Sequence, residues 1–188
     1  QEDVFYYLTV MNENYEHPEM PAGAETDIIK GMYLLRRGQS SDSNPPVPRV
    51  QLLGSGTIFR EVIAAADLLK NDWGVDADLW GCPSFTELAR NGHDVQRSNM
   101  LNPLAKAQIS HVEACLDDTR GPVIAATDYV RLYAEQIRPF IHRRYVTLGT
   151  DGFGRSDTRE QLRHFFEVDR RWVTVAALMV ASFFFVML

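Results

Sequence analysis

Between Val50 and Gly149 short apolar runs alternate with segments of helical period, and this alternation restricts the fold more than any other feature of the chain. "VQLLGSG" reads as a strand ending in glycines. Ile58, Val62, Ala65, Ala66 and Leu69 recur at steps of three and four, which predicts a helix over Thr57–Asn71 with one apolar face. Asp78–Cys82 reads as a second strand, "SFTELARNG" as a short helix closed by Gly92, and His111–Leu116 as part of another helix. "GPVIAATD" is a third, apolar strand. Tyr129–Arg138 follows as a helix stopped by Pro139, and "YVTLG" is a fourth strand. Apolar strands separated by helices imply an α/β fold, a parallel or mixed sheet with helices on both faces. In such sheets ligands favour the carboxyl ends of the strands.

The residues ahead of this unit have a different character. Val4–Met11 is rich in β-branched and aromatic residues and reads as a buried strand, as if the chain began inside a domain. A polar loop, "NENYEHPEMPAGAE", comes next, and Thr26–Leu35 mixes a helical turn with an extended piece. "RRGQSSDSNPPVPR", Arg36–Arg49, has no apolar period and reads as a semi-rigid linker. The expected division is therefore 1–35, a link at 36–49, and 50–188.

A net charge of −6, with arginines scattered and no basic stripe, speaks against a nucleic-acid partner. Cys82 and Cys115 lie far apart with no Cys/His cluster around them, which suits free thiols in a reducing compartment better than a disulfide or a zinc site. The final 17 residues, Trp172–Leu188, carry no charge, the lower limit for crossing a bilayer of roughly 30 Å. A core element with an abnormal end is the preferred reading, and a membrane anchor the alternative.

Three stretches are candidates for chemistry. The Gly54-Ser55-Gly56 turn resembles a phosphate loop but lacks the full glycine pattern, and no acid ends the next strand, so a tight turn with Ser55 or Thr57 capping the helix is expected. "LGTDGFGRSD", Leu148–Asp157, also looks like a phosphate cradle. Asp151 and Asp157 would repel a phosphate there, and Asp157 with Glu160 makes a capping pair instead. Asp128, ending "AATD", reads as a helix cap. No histidine pair has metal-site spacing, and His142 and His164 look solvated. Glu13 and His17, four residues apart after a strand, are a candidate acid–base pair, with two solvated loop residues as the alternative.

The stretches "VFYYLTVMNENYEHPEMP", "IIKGMYLL", "VQLLGSGTIFREVIAAADLL", "SFTELARNG", "GPVIAATDYVRLYAEQIRPF" and "LGTDGFGRSDTREQLRHFFEVD" together resemble one family closely. It is the family of homodimeric, thiamine diphosphate-dependent first components of the pyruvate dehydrogenase complex. The resemblance implies a transketolase C-terminal-like domain from about Val50, preceded over 1–35 by the end of a pyrimidine-binding domain. It also implies thiamine diphosphate and Mg2+ as cofactors, with their main binding motifs upstream of this chain, and pyruvate as substrate. Further implications are a second copy of the chain as partner, acetyl transfer to lipoyl groups of the dihydrolipoamide acetyltransferase component, and a cytoplasmic location. The fragment alone would be inactive. Glu13 matches an acidic position of the family's active-site loop. Some members carry a histidine directly after the tyrosine, where this chain has Glu16 and then His17. Another thiamine diphosphate enzyme of the transketolase superfamily, or a non-catalytic module for dimerisation or anion binding, are the alternatives. The family pattern is lost after "VTVAAL"; a helix capped by Asp169 is implied there, and the apolar end beyond it predicts aggregation.

Overall fold

The computed structural model describes residues 3–7, 10, 14–39 and 47–185, with side chains described as far as Ala181. After a short helix α1 (Glu25–Ile29) come β1 (Tyr33–Arg36), β2 (Arg49–Gly54), α2 (Phe59–Trp73), β3 (Asp76–Gly81), α3 (Phe85–Leu101) and α4 (His111–Leu116). They are followed by β4 (Val123–Val130), α5 (Leu132–Glu135), β5 (Tyr145–Thr150), α6 (Arg159–Phe165) and α7 (Arg170–Phe185). The strands form one five-stranded sheet in the order β1-β3-β2-β4-β5. β2, β3, β4 and β5 run parallel and β1 is antiparallel on the edge, so the sheet is mixed.

Neighbouring residues on each strand point to opposite faces, and both faces are apolar. Leu52, Leu79 and Ile124 pack against α2 and α7 on one side, while Leu53, Trp80 and Ala125 pack against α3, α4 and α5 on the other. The expected helices on both faces are present, and the register is locked because a slip of one residue would exchange the two cores. Within the sheet a polar network is fully paired. The Gln51 amide donates to Asp78 Oδ2 at 2.8 Å and its oxygen accepts from Trp80 Nε1 at 2.8 Å. Gly38 N donates to the other oxygen of Asp78 at 2.7 Å, tying the chain just after β1 to β3.

Several expectations need correction. Val4–Tyr7 and Val10 are not in a strand, and Phe5 is 93% exposed; residues 8, 9 and 11 of that run lie outside the described residues. An isolated strand needs a ladder partner, and no described strand pairs with this segment. Gly92 does not end a helix. α3 runs straight through it, because Gly92 is buried where Phe140 crosses; a Cβ there would lie 2.3 Å from the ring. The helix expected over Tyr129–Arg138 is reduced to the four residues of α5, since β4 continues to Val130 and Pro139 sits in a separate 3-10 turn, Arg138–Phe140. At α6 the cap is Thr158, whose hydroxyl accepts from Gln161 N, while Asp157 accepts from Thr158 N. Asp169 does cap α7, accepting from the amides of Arg171 and Trp172 at 2.8 and 3.0 Å. Among the described residues no helix is long and apolar enough to cross a membrane. Cys82 and Cys115 are free thiols, the first buried.

Candidate functional site

β2, β3 and β4 are adjacent and parallel, so their carboxyl ends emerge side by side. α2 leaves β2 over one face, while α3 leaves β3 over the other; the chain thus parts around the strand ends. Into this gap project the turn Gly54–Thr57, Cys82–Ser84, and Thr127–Tyr129. A cleft of about 1520 Å³ lies above it, walled by α2 and by the extended segment Asn14–Glu19.

Tyr15 holds that segment in place. The Arg60 guanidinium lies 4.4 Å from the centre of its ring, and its hydroxyl accepts from Arg163 at 3.4 Å. His17 is exposed on the cleft wall and makes no hydrogen bond or ion pair among the described residues. Its expected companion Glu13 lies outside the described residues. Arg170 reaches the cleft from the start of α7, but Glu61 engages it through three bonds, Nε to Oε2 at 2.8 Å being the shortest. Burial would raise the Glu61 carboxyl; the bonds from Arg170 and the charge of Arg163 outweigh it and hold the group below the usual carboxylate range.

The turn Gly54–Thr57 is more than a tight corner. Ser55 Oγ donates to Thr127 Oγ1 at 2.8 Å and Thr57 Oγ1 donates to Asp128 Oδ2 at 3.0 Å. Neither hydroxyl caps a helix, contrary to expectation, because both are engaged by residues at the end of β4. Nor does Asp128 cap α5, whose first turn has no side-chain cap. The carboxylate instead sits over Gly56, which has φ +55°; a Cβ on that residue would lie 2.5 Å from Asp128 Oδ1. Sequence reasoning looked for an acid at the end of the next strand in the chain. The structure supplies one from the strand next in space, and only the sheet order could reveal it.

The loop Leu148–Asp157 lies elsewhere. Asp151 pairs with Arg131 at 2.9 Å and Arg155 stacks 4.2 Å from the Phe165 ring centre. Its charges are spent on the fold, and it turns the chain from β5 into α6. His142 and His164 are largely in solvent, each beside one carboxylate, Glu113 and Asp169.

Thiamine diphosphate with Mg2+ needs a carboxylate-rich metal site and donors for two phosphates. Among the described residues no cluster of three metal-ligating side chains exists. Of the cleft's arginines, Arg170 is claimed by Glu61 and Arg60 is stacked on Tyr15. The donors here do not fit the diphosphate end of that cofactor.

Comparison with known proteins agrees with this architecture. The pyruvate dehydrogenase E1 component of Cupriavidus necator is 75% identical over 178 residues, covering 95% of this chain and 20% of that protein. The corresponding component of Escherichia coli K12 is 50% identical over 179 residues, 95% of this chain and 19% of that protein. The chain thus spans about one fifth of the length of these relatives. Among solved structures, transketolase from Campylobacter jejuni matches 81% of this chain and 19% of its own, with a TM-score of 0.53 at 20% identity. A transketolase from Pichia stipitis matches 89% of this chain and 20% of its own, with a TM-score of 0.55 at 14% identity. The family model described as the transketolase-like TK C-terminal domain matches residues 31–169. With this match spanning all five strands of the sheet, the chain belongs to the transketolase-like C-terminal domain family.

Proposed function

We propose that this chain is the carboxyl-terminal part of a pyruvate dehydrogenase of the acetyl-transferring kind. That enzyme oxidatively decarboxylates pyruvate and passes the acetyl unit to lipoyl groups of the dihydrolipoamide acetyltransferase component. It works in the cytoplasm as a homodimer with thiamine diphosphate and Mg2+. The observation that carries this reading is 75% identity to the Cupriavidus necator pyruvate dehydrogenase E1 component across 95% of the chain. In the whole enzyme thiamine diphosphate would supply a nucleophilic carbon and an electron sink for the decarboxylation. Among the described residues no group suits its diphosphate, and on this reading the chain by itself does not turn over pyruvate.

Residues 1–35 belong, on this reading, to the end of a pyrimidine-binding domain, joined by 36–49 to the C-terminal domain. β1 then carries the end of the first part onto the edge of the sheet of the second, where Gly38 is bonded to Asp78. On this reading His17, on the wall of the large cleft, and Glu13, outside the described residues, assist proton movements during acetyl transfer.

Deletion of the coding gene should abolish pyruvate-dependent reductive acetylation of lipoyl groups in cell extracts; its persistence at full level would overturn the assignment. Calorimetric titration of thiamine diphosphate and Mg2+ into this chain alone should show no binding, and tight binding would refute the fragment reading. Glu13→Ala and His17→Ala in the intact enzyme should each slow acetyl transfer, and unchanged rates would remove those two residues from the site.

A further inference from the structure

Beyond that reaction, the strand ends hold a second, smaller recess. A crevice of about 240 Å³ opens beside the large cleft and shares Ser55, Gly56, Cys82, Pro83, Asp128 and Tyr129 with it. It sits where the strand order turns back, between β2 and β4, the place at which open parallel sheets bind ligands. Among the described residues no cation pairs with Asp128. One of its oxygens accepts from Thr57, and the carboxylate keeps lone pairs for further donors. The surrounding groups are neutral hydroxyls, those of Ser55, Thr127, Ser84 and Thr86. On the rim stand Tyr129 and Tyr133, their rings edge to face at 4.7 Å and their exposures 60% and 37%.

Each feature selects a ligand property. A carboxylate ringed by hydroxyls matches a vicinal diol, which donates two hydrogen bonds to one carboxylate. A partly exposed aromatic pair at the mouth matches a planar ring. A phosphate is disfavoured, because Asp128 already places negative charge over the glycine turn that would cradle it. We propose that this crevice binds a nucleoside, with the ribose hydroxyls on Asp128 and the base against Tyr129 and Tyr133.

The test is titration of the 188-residue chain with adenosine, followed by calorimetry and by amide chemical shifts. Adenosine should bind and shift the amides of 54–57 and 127–129. 2′,3′-Dideoxyadenosine should bind about tenfold more weakly, the worth of a lost charge-assisted hydrogen bond. Methyl riboside should also be weaker, because it lacks the ring, and adenosine 5′-monophosphate should be no tighter than adenosine. Asp128→Asn should reproduce the loss seen with the dideoxy compound. Absence of adenosine binding to the folded chain, equal affinity for the dideoxy compound or the riboside, or a tenfold preference for the monophosphate would each overturn the proposal. The ligand series needs no variant, so a poorly folding Asp128→Asn protein does not shelter the idea.

Discussion

Replacing Gly92 by alanine separates two roles for one residue. In the interior of an exposed helix the change is favourable by about 1 kcal/mol, since alanine loses less backbone entropy than glycine. Here the new Cβ would stand 2.3, 2.4 and 2.6 Å from three carbons of the Phe140 ring. Carbon atoms in contact sit roughly 3.5–4.0 Å apart, so the ring must retreat by more than about 1 Å. It has no room to do so: Phe140 is only 2% exposed, within the core that also holds Leu88 and Ala89, and meets His93 edge-on at 5.3 Å. Overpacking of this kind costs about 1–3 kcal/mol. Against the propensity gain, a net loss of about 1 kcal/mol remains, equivalent to roughly 3 °C in Tm for a chain of this size. Urea unfolding of the two proteins, fitted by linear extrapolation, measures it. In a Phe140→Leu background the same substitution should cost less, because the smaller side chain leaves space for the methyl group. Stabilisation by Gly92→Ala in the otherwise unchanged chain would refute the argument that close approach, and not helix termination, placed a glycine there.

Glu61 predicts a pH dependence. Its folded carboxyl titrates below the unfolded one, so its contribution is complete above the ordinary carboxylate range and is lost as pH falls through the folded value. Glu61→Gln should flatten the acid limb of a stability–pH curve; Glu61→Ala should cost about 2 kcal/mol near neutrality, less than for a fully buried pair because Arg170 is half in solvent. Tyr145 donates to Ala134 O at 2.7 Å, so Tyr145→Phe should cost about 1 kcal/mol by denaturant unfolding. Burial, with the nearby Cys82 and Glu135, raises that phenol well above its ordinary range, and a spectrophotometric titration should show one tyrosine ionising only as the fold is lost. Burial also pushes the Cys82 thiol far up, and burial with Asp27 pushes Cys115 up to about 11. A disulfide reagent at about pH 8 should therefore label Cys115 slowly and Cys82 only on unfolding; prompt double labelling would contradict this packing.

The alternation of apolar strands and helical period was legible without coordinates, and so were β2, α2, β4 and β5 to within a few residues, because burial on both faces leaves a local pattern. Val4–Tyr7 shows where that reasoning fails: a strand-like composition describes a segment that could pair, and no described strand pairs with it. Gly92 shows the converse. Nothing in "ARNGHD" distinguishes a terminating glycine from one that admits Phe140, which lies 48 positions further along the chain.

At the candidate site the same division holds. The amino-acid sequence alone determined the layer architecture, the net charge and the chain's family resemblance, since each is carried by local composition or by ordered motifs. It also offered His17 and the glycine turn as places to look. Only the tertiary structure decided that β4 lies beside β2, which brings Asp128 over Gly56 and Tyr129 and Tyr133 to the mouth of the crevice. The physical reason is that strand neighbours are chosen by the sum of two hydrophobic faces over the whole sheet. No short stretch of the chain contains that sum, so the acid facing the glycine turn came from 72 residues away.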